Sequence, residues 1–351
     1  MSGLRLPPLA PWQQRVYAQA TAALDSGRLG HGLLLCGPAR LGKRALAERL
    51  ARRMLCTDRD AAGEACGQCR SCQLFALRSQ RDPVEVRPDG SLAHPDGHAG
   101  HPDLMLIGYE VNDRTGKPRA EIVIEQIRRL SEKLALTPQY GGAQIAILDP
   151  ADAINHAACN ALLKTLEEPQ PGRYLWLVSA NPARLPATIR SRCQRIEFRL
   201  PPANESLAWL LTQGHAEAAV REALDAARGH PGLADAWLRD GGLALRREIA
   251  GDLQALARGE RSALETAQRW AGADDLDLRL RHAADLAVAD AARLTDASRI
   301  RTLATWFDAA NRTRDLLRTT VRADLALAEL LAQWRGAASG AVSIRTSGGR
   351  T

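Results

Sequence analysis

The chain has 351 residues, 45% of them apolar and 25% charged, and a formal net charge of +7. This is globular composition with room for two or three separate cores, and over such a length the charge is a mild bias, not by itself a nucleic-acid footprint. Aromatic residues make up only 4%, so the cores must be built from Leu, Ala, Val and Ile. No apolar run is long enough to span a bilayer. Met1–Pro8 lacks the apolar stretch of a signal peptide. A cytoplasmic chain without membrane association is expected, its seven cysteines reduced and available to a metal.

Residues 12–28 have helical spacing and stop at Gly27. Leu33–Cys36 is a continuously apolar run, as a buried parallel strand requires. Gly37-Pro38-Ala39-Arg40-Leu41-Gly42-Lys43-Arg44 follows and opens a helix over 43–55. In this strand–loop–helix context, that of a Walker A loop, backbone N–H groups cradle phosphates and a lysine reaches the outer ones. Gly37 and Gly42 let the backbone approach. Position 44, where a Ser or Thr hydroxyl would hold Mg²⁺, is Arg44. A guanidinium cannot ligate a metal and puts a second cation where the ion would sit.

Cys56, Cys66, Cys69 and Cys72 come next, spaced C-x9-C-x2-C-x2-C. Such knuckles place sulfurs on one turn, and four thiolates satisfy a structural Zn²⁺ while leaving no open position for catalysis. Cys36, Cys159 and Cys193 are expected as buried small apolar residues. Residues 78–120 read as loops with one short strand near 104–107, and His94, His98 and His101 as solvated loop histidines.

A helix is expected over 122–136 and a second buried strand over 144–148, ending at Asp149, a carboxylate able to help hold a metal. Pro150, next in line, cannot orient a water as a base would. Asp152 is expected to cap a helix running to Glu168. Within that helix Leu162 and Leu166 share a side, and Lys164 and Glu168 form an i, i+4 pair. A third strand is expected over 174–179. Ser191-Arg192-Cys193 reads as a tight turn before a fourth strand on which Ile196, Phe198 and Leu200 alternate. Strands alternating with helices imply a parallel α/β sheet. Pro201-Pro202 marks a boundary. Beyond it, 203–240 and 243–335 read as two helical units, and 336–351 as a disordered tail.

Two strings, Asn160 to Pro169 and Pro186 to Cys193, resemble the clamp-loader branch of the AAA+ ATPases nearly residue for residue. A zinc module inserted after the first helix strengthens the resemblance to bacterial DNA polymerase III clamp-loader subunits. The resemblance covers about 10–335, with its strong motifs within 37–198. It implies an α/β AAA+ P-loop domain over 1–200 with the zinc module at 56–72. A small helical lid domain (201–242) and an all-α collar domain that oligomerises (243–335) would follow.

The resemblance also implies residue roles. Arg192 matches an arginine finger that acts in trans on ATP in a neighbouring subunit, where its planar fork neutralises the transferring phosphoryl. Pro150 stands where active ATPases of the family carry a catalytic Glu. Gly232, in Gly229-His230-Pro231-Gly232-Leu233, stands where they carry a lid arginine. Ser179 or Asn181 matches a strand-end polar sensor. Gly37, Gly42, Lys43 and Asp149 would form a vestigial nucleotide site, damaged for hydrolysis, at which ATP binding without turnover stays open. Implied partners are other clamp-loader subunits, delta and gamma/tau, in a hetero-pentamer, together with the sliding clamp and, through the complex, primed DNA. The role implied is that of a rigid partner in clamp loading during replication. No polymerase active site is visible, so nucleotidyl transfer would belong to the holoenzyme. The alternative is an ATP-hydrolysing motor subunit of gamma/tau type, favoured by Gly37, Gly42 and Lys43 and opposed by Arg44, Pro150 and Gly232. A stand-alone zinc-containing DNA-binding protein is the weakest reading, because the cysteine segment has few basic residues and no groove-length helix.

Overall fold

The apolar runs become the strands of a parallel sheet. The computed structural model describes residues 8–88, 90–112, 114–140, 142–317 and 319–338, and the chain divides into two compact units, Met1–Asp235 and Ala236–Thr351.

The first unit runs α1 (Pro11–Asp25), β1 (Gly32–Cys36), α2 (Lys43–Leu55), α3 (Arg70–Ala76), β2 (Arg78–Ser79), β3 (His98–Ala99), β4 (Leu104–Ile107), α4 (Ile124–Leu134) and β5 (Gln144–Leu148). It continues with α5 (His156–Glu167), β6 (Arg173–Ser179), α6 (Ala187–Arg192), β7 (Gln194–Glu197), α7 (Ala203–Thr212) and α8 (Glu217–Ala226). Five strands pair in the order β4-β5-β6-β1-β7, all parallel. Leu34 lies opposite Leu177, and Leu177 opposite Leu148.

Successive residues on a strand point to opposite faces, and helices cover both. Leu33, Leu35, Ile145, Ile147, Trp176 and Val178 pack with Trp12, Leu46 and Leu50 from α1 and α2. Leu34, Cys36, Ala146, Leu148, Leu175 and Leu177 pack with Ile127, Leu130, Leu162 and Leu166 from α4 and α5. Two buried faces explain why these strands are apolar at every position.

Several elements differ from expectation. A helix for which no expectation was set follows the cysteines, and the stretch 78–120 holds more than one short strand. Cys69 caps α3 by accepting the Cys72 amide, and β2 pairs antiparallel with β3. Strand β7 ends at Glu197. Phe198 donates its amide to Cys36 O at 2.7 Å, but Leu200 is exposed, so the expected alternation stops before Pro201-Pro202.

Helix α9 (Pro231–Arg239) runs across the division between the units. The second unit contains α10 (Gly242–Arg258), α11 (Ala263–Ala271), α12 (Leu276–Ala291), α13 (Ala297–Leu316) and α14 (Ala323–Ala338). Its core is Leu- and Ala-rich and organised by Trp270, Trp306 and Trp334. Each of these indoles finds an acceptor, namely Asp252 Oδ2, Leu330 O and Leu253 O, all at 2.9 Å, which lets a large polar-tipped ring be buried without penalty. Helix α14 carries Gly336–Ala338, the start of the stretch expected as a tail, and 339–351 lie outside the described residues. Among the described residues no helix is long and apolar enough to cross a membrane.

Candidate functional site

The phosphate-type loop joins β1 to α2 and is held from several sides. Gly37 has φ +133, and a Cβ there would stand 2.1 Å from Phe198 O. Gly42 caps α2 with φ +80, and a Cβ there would meet Gln13 Nε2 at 1.9 Å. The backbone of Phe198 excludes a side chain at Gly37, and the left-handed φ at Gly42 favours glycine there. From α1, Trp12 Nε1 and Gln13 Nε2 both donate to Leu41 O, at 3.2 and 3.0 Å.

The lysine does not face an empty cradle. Lys43 Nζ turns back to donate to Gly37 O at 2.7 Å and Pro38 O at 2.6 Å, and the residue is buried. Burial lowers its pKa, against the pull of Asp149 and Asp152. Next to it, Arg44 Nε pairs with Glu48 at 2.9 Å, while Arg44 Nη1 lies 3.8 Å from Asp149 Oδ2 and donates to Ala93 O at 3.3 Å. The guanidinium thus stands opposite the carboxylate at the end of β5, on the side where a divalent ion would need ligands. Burial raises the pKa of Asp149, with Arg44 opposing.

Asp152 does not cap the helix that runs to Glu167. A 3-10 turn over Ala151–Ala153 intervenes, and Asn155 is the cap, its side chain accepting Ala158 N at 3.0 Å. Asp152 instead reaches the end of β6, accepting from Ser179 Oγ, from Ala180 N at 2.7 Å and from Asn181 N at 3.1 Å. Ser179 is fully buried. Its hydroxyl is committed to structure.

The stretch His230-Pro231-Gly232 lies directly on the loop. His230 hydrogen-bonds the Ala39 backbone, and a Cβ on Gly232 would stand 1.8 Å from Arg40 O. An arginine at this position would collide with the loop it is meant to serve.

Arg192 is not in a tight turn. It is the last residue of α6, donates through Nη1 to Thr188 O at 2.9 Å, and pairs through Nη2 with Glu167 at 2.6 Å. Its side chain is 37% exposed. The acidic partner within reach is therefore Glu167, and the Lys164–Glu168 pair is not formed among the described residues. An exposed pair of this kind is worth about 0–1 kcal/mol and is readily exchanged.

Cys56, Cys66, Cys69 and Cys72 converge so that their sulfurs all lie within 4.8 Å of one another. Cys56 Sγ is 3.6 Å from Cys66 Sγ and 3.8 Å from Cys69 Sγ. A tetrahedron with Zn–S bonds of about 2.3 Å has edges of about 3.8 Å. Amides point at the sulfurs, with Cys66 N on Cys56 Sγ, Gln68 N and Cys69 N on Cys66 Sγ, and Cys72 N on Cys69 Sγ, at 3.3–3.4 Å. Donors of this kind orient and stabilise thiolates. Burial pushes the Cys72 thiol up to about 12. Burial would raise Cys69 too, but hydrogen bonds from Thr57 and the Cys72 backbone bring it down to about 6. The cluster fits a structural metal ion. The cysteine segment is also tied to the helices: Glu64 accepts from Tyr17 Oη of α1 at 2.7 Å and from Arg53 Nη1 of α2 at 2.6 Å. Cys36, Cys159 and Cys193 are buried, as small apolar residues would be.

The loop histidines are not solvated. His94 and His101 are buried, and His98 is 12% exposed at its side chain. His101 holds Ser71 Oγ at 2.8 Å and the Asp103 amide at 3.1 Å. His94 and His98 share Glu85, a grouping that spacing alone did not reveal; the i, i+4 histidine pair was the only signal in the sequence.

The sheet order, the glycine loop after its first strand and the carboxylate one strand removed define a P-loop α/β module of the AAA+ clamp-loader type, with Arg44 facing Asp149 across the loop. A family described as "DNA polymerase III, delta subunit" matches residues 12–202. A DNA polymerase III subunit delta' of Pseudomonas aeruginosa is 36% identical over 74% of this chain and 70% of its own length. One of Haemophilus influenzae is 31% identical over 73% and 69%. A gamma/tau subunit of Mycobacterium tuberculosis is 29% identical over 56% of this chain and 29% of its own. The chain belongs to the DNA polymerase III delta' family.

Proposed function

We propose that this chain is the non-hydrolysing delta' subunit of a DNA polymerase III clamp loader. Acting in the cytoplasm, it would join delta and gamma/tau subunits in a hetero-pentamer that places the sliding clamp on primed DNA. On this reading Arg192 completes a neighbour's ATP site in trans, and Gly37, Gly42, Lys43 and Asp149 are the remains of its own site. Residues 201–242 serve as the lid and 243–335 as the oligomerising collar. One Zn²⁺ held by Cys56, Cys66, Cys69 and Cys72 fastens the inserted module.

The Arg44–Asp149 apposition carries the proposal. A metal–nucleotide complex arriving at this loop would meet a guanidinium in place of a hydroxyl ligand and a proline in place of a base. Arg192, by contrast, is 37% exposed at a helix end, held by an exchangeable surface pair with Glu167 and one hydrogen bond to the Thr188 carbonyl.

The test is phosphate release, measured on the isolated chain and on a loader reconstituted with wild-type or Arg192→Ala protein. The chain alone should not turn over ATP. In the loader, one site of several should lose a contribution on the order of 10³–10⁵, so that bulk clamp- and DNA-stimulated activity falls in part. Lys43-dependent turnover by the isolated chain would favour the gamma/tau-type motor instead, and full clamp loading with Arg192→Ala would end the finger assignment.

A further inference from the structure

Apart from the four thiols and the phosphate loop, a further group of ligand-type side chains converges among the described residues of the first unit. We propose that Glu85, His94 and His98 form a second metal site, taking a borderline divalent ion such as Zn²⁺ through one carboxylate oxygen and two imidazole nitrogens.

The three ligand atoms lie within 4.8 Å of one another. Glu85 Oε2 faces both imidazoles, 2.6 Å from His98 Nε2 and 3.4 Å from His94 Nε2. The other oxygen, Oε1, is held by Arg81 Nη1 at 2.9 Å. One oxygen is thus anchored from outside while its twin points into the cluster, the arrangement that orients a carboxylate ligand.

His94 supplies the independent observation. It is 1% exposed, and among the described residues neither ring nitrogen has a hydrogen-bond partner. The approach of Nε2 to Glu85 lacks hydrogen-bond geometry. Buried polar atoms in folded proteins are nearly always satisfied, and an imidazole nitrogen aimed at a carboxylate and a second imidazole is satisfied by a shared cation. The two rings are inclined at 51° with centroids 4.3 Å apart, so their nitrogens can approach one point without stacking. The backbone at Gly108 adjoins Nε2, and a Cβ there would press on it at 3.1 Å, so glycine leaves the space open.

The donor set selects the ion. Two imidazoles and a carboxylate suit Zn²⁺ and its first-row neighbours far better than Mg²⁺ or Ca²⁺, and they leave a fourth position for water. With metal–ligand bonds of about 2.0–2.1 Å the ligand atoms stand about 3.3 Å apart, so the Glu85–His98 contact opens by less than 1 Å as the shared proton leaves. His98 lines a cavity of about 550 Å³ bounded also by Arg81, Glu110 and Arg129, which gives the ion a route in. Arg44 and Arg81 add positive charge around His94. This site is therefore weaker than the four-thiolate site and empties first.

The test uses the full-length chain purified with zinc, dialysed against a mild chelator and titrated with Co²⁺ while metal content and absorption are followed. One Co²⁺ should add per chain, with weak visible bands and none of the near-ultraviolet sulfur-to-cobalt bands. His98→Gln, at the edge of the cavity, should lose that cobalt by about tenfold or more in affinity while keeping its zinc and its circular dichroism. His94→Gln should do the same. Wild-type protein that takes up no cobalt beyond exchange at the thiols, or a His98→Gln variant that binds it equally well, overturns the proposal. Both readouts stand if His94→Gln fails to fold, and neither depends on clamp loading.

Discussion

Arg44 satisfies Glu48 and faces Asp149 in a pocket with little water, so its removal costs more than a lost metal ligand could return. Arg44→Thr restores the hydroxyl type of a working loop, yet Pro150 still follows Asp149 and Lys43 still turns inward. We expect no ATP turnover from this variant, and a loss of about 1–3 kcal/mol in urea denaturation because Glu48 and the largely enclosed Asp149 both lose the Arg44 guanidinium. Glu48 keeps Arg78 at 2.8 Å. In the second unit, His282 is buried against the Trp237 ring, and burial with nearby Arg246 holds its pKa down at about 4. As pH falls from about 6.5 to 4 the unfolded chain takes up a proton that the folded one refuses, so stability drops across that window by up to about 3 kcal/mol. Tryptophan fluorescence against urea at a series of pH values measures the slope, and His282→Gln should flatten it.

At the scale of elements, the packing of the 230–232 stretch on the loop makes a sharp prediction. Gly232→Arg, which would supply the arginine of an active ATPase, places its Cβ against Arg40 O. It should destabilise the first unit by about 1–3 kcal/mol, seen as a lower thermal midpoint, and yield no hydrolysis. The same elements show what could be read in advance. Strands β4 and β5 lie where apolar runs meet loop residues, because burial on both sheet faces writes itself into consecutive positions, while helix α2 starts just after the loop glycine, Gly42. That a guanidinium and not a hydroxyl stands at position 44 is equally legible, since it belongs to residue type, whereas its place opposite Asp149 comes from the fold. Helix α3 and the β2–β3 pair were not, being too short to carry a period. The cap passed from Asp152 to Asn155 because an intervening 3-10 turn, invisible in the sequence, redirected the carboxylate to Ser179 and the β6 end. His94 and His101 are buried although a Gly/Pro-rich loop usually leaves its side chains solvated. Here that loop folds back so that His94 reaches Gly108, just after β4.

Across the molecule, two cores do separate work. The second unit closes on tryptophans whose indoles are all spoken for, and the first closes on a sheet flanked by helices. Within the first unit α1 occupies a special position. Through Trp12 and Gln13 it grips the Leu41 carbonyl, and one to two turns further along it holds, through Tyr17, the Glu64 carboxylate of the cysteine insert. The helix is a tie-rod with the metal-type cluster at one end and the loop at the other. Because the same helix holds both the insert and the loop, stripping an ion from the thiolates should loosen Leu41 before it melts the sheet. Hydrogen exchange at the loop amides would register that slack as faster exchange on chelation. Tyr17→Phe, which removes only the α1 link, should produce part of that loosening with the ion in place, since Arg53 of α2 still holds Glu64.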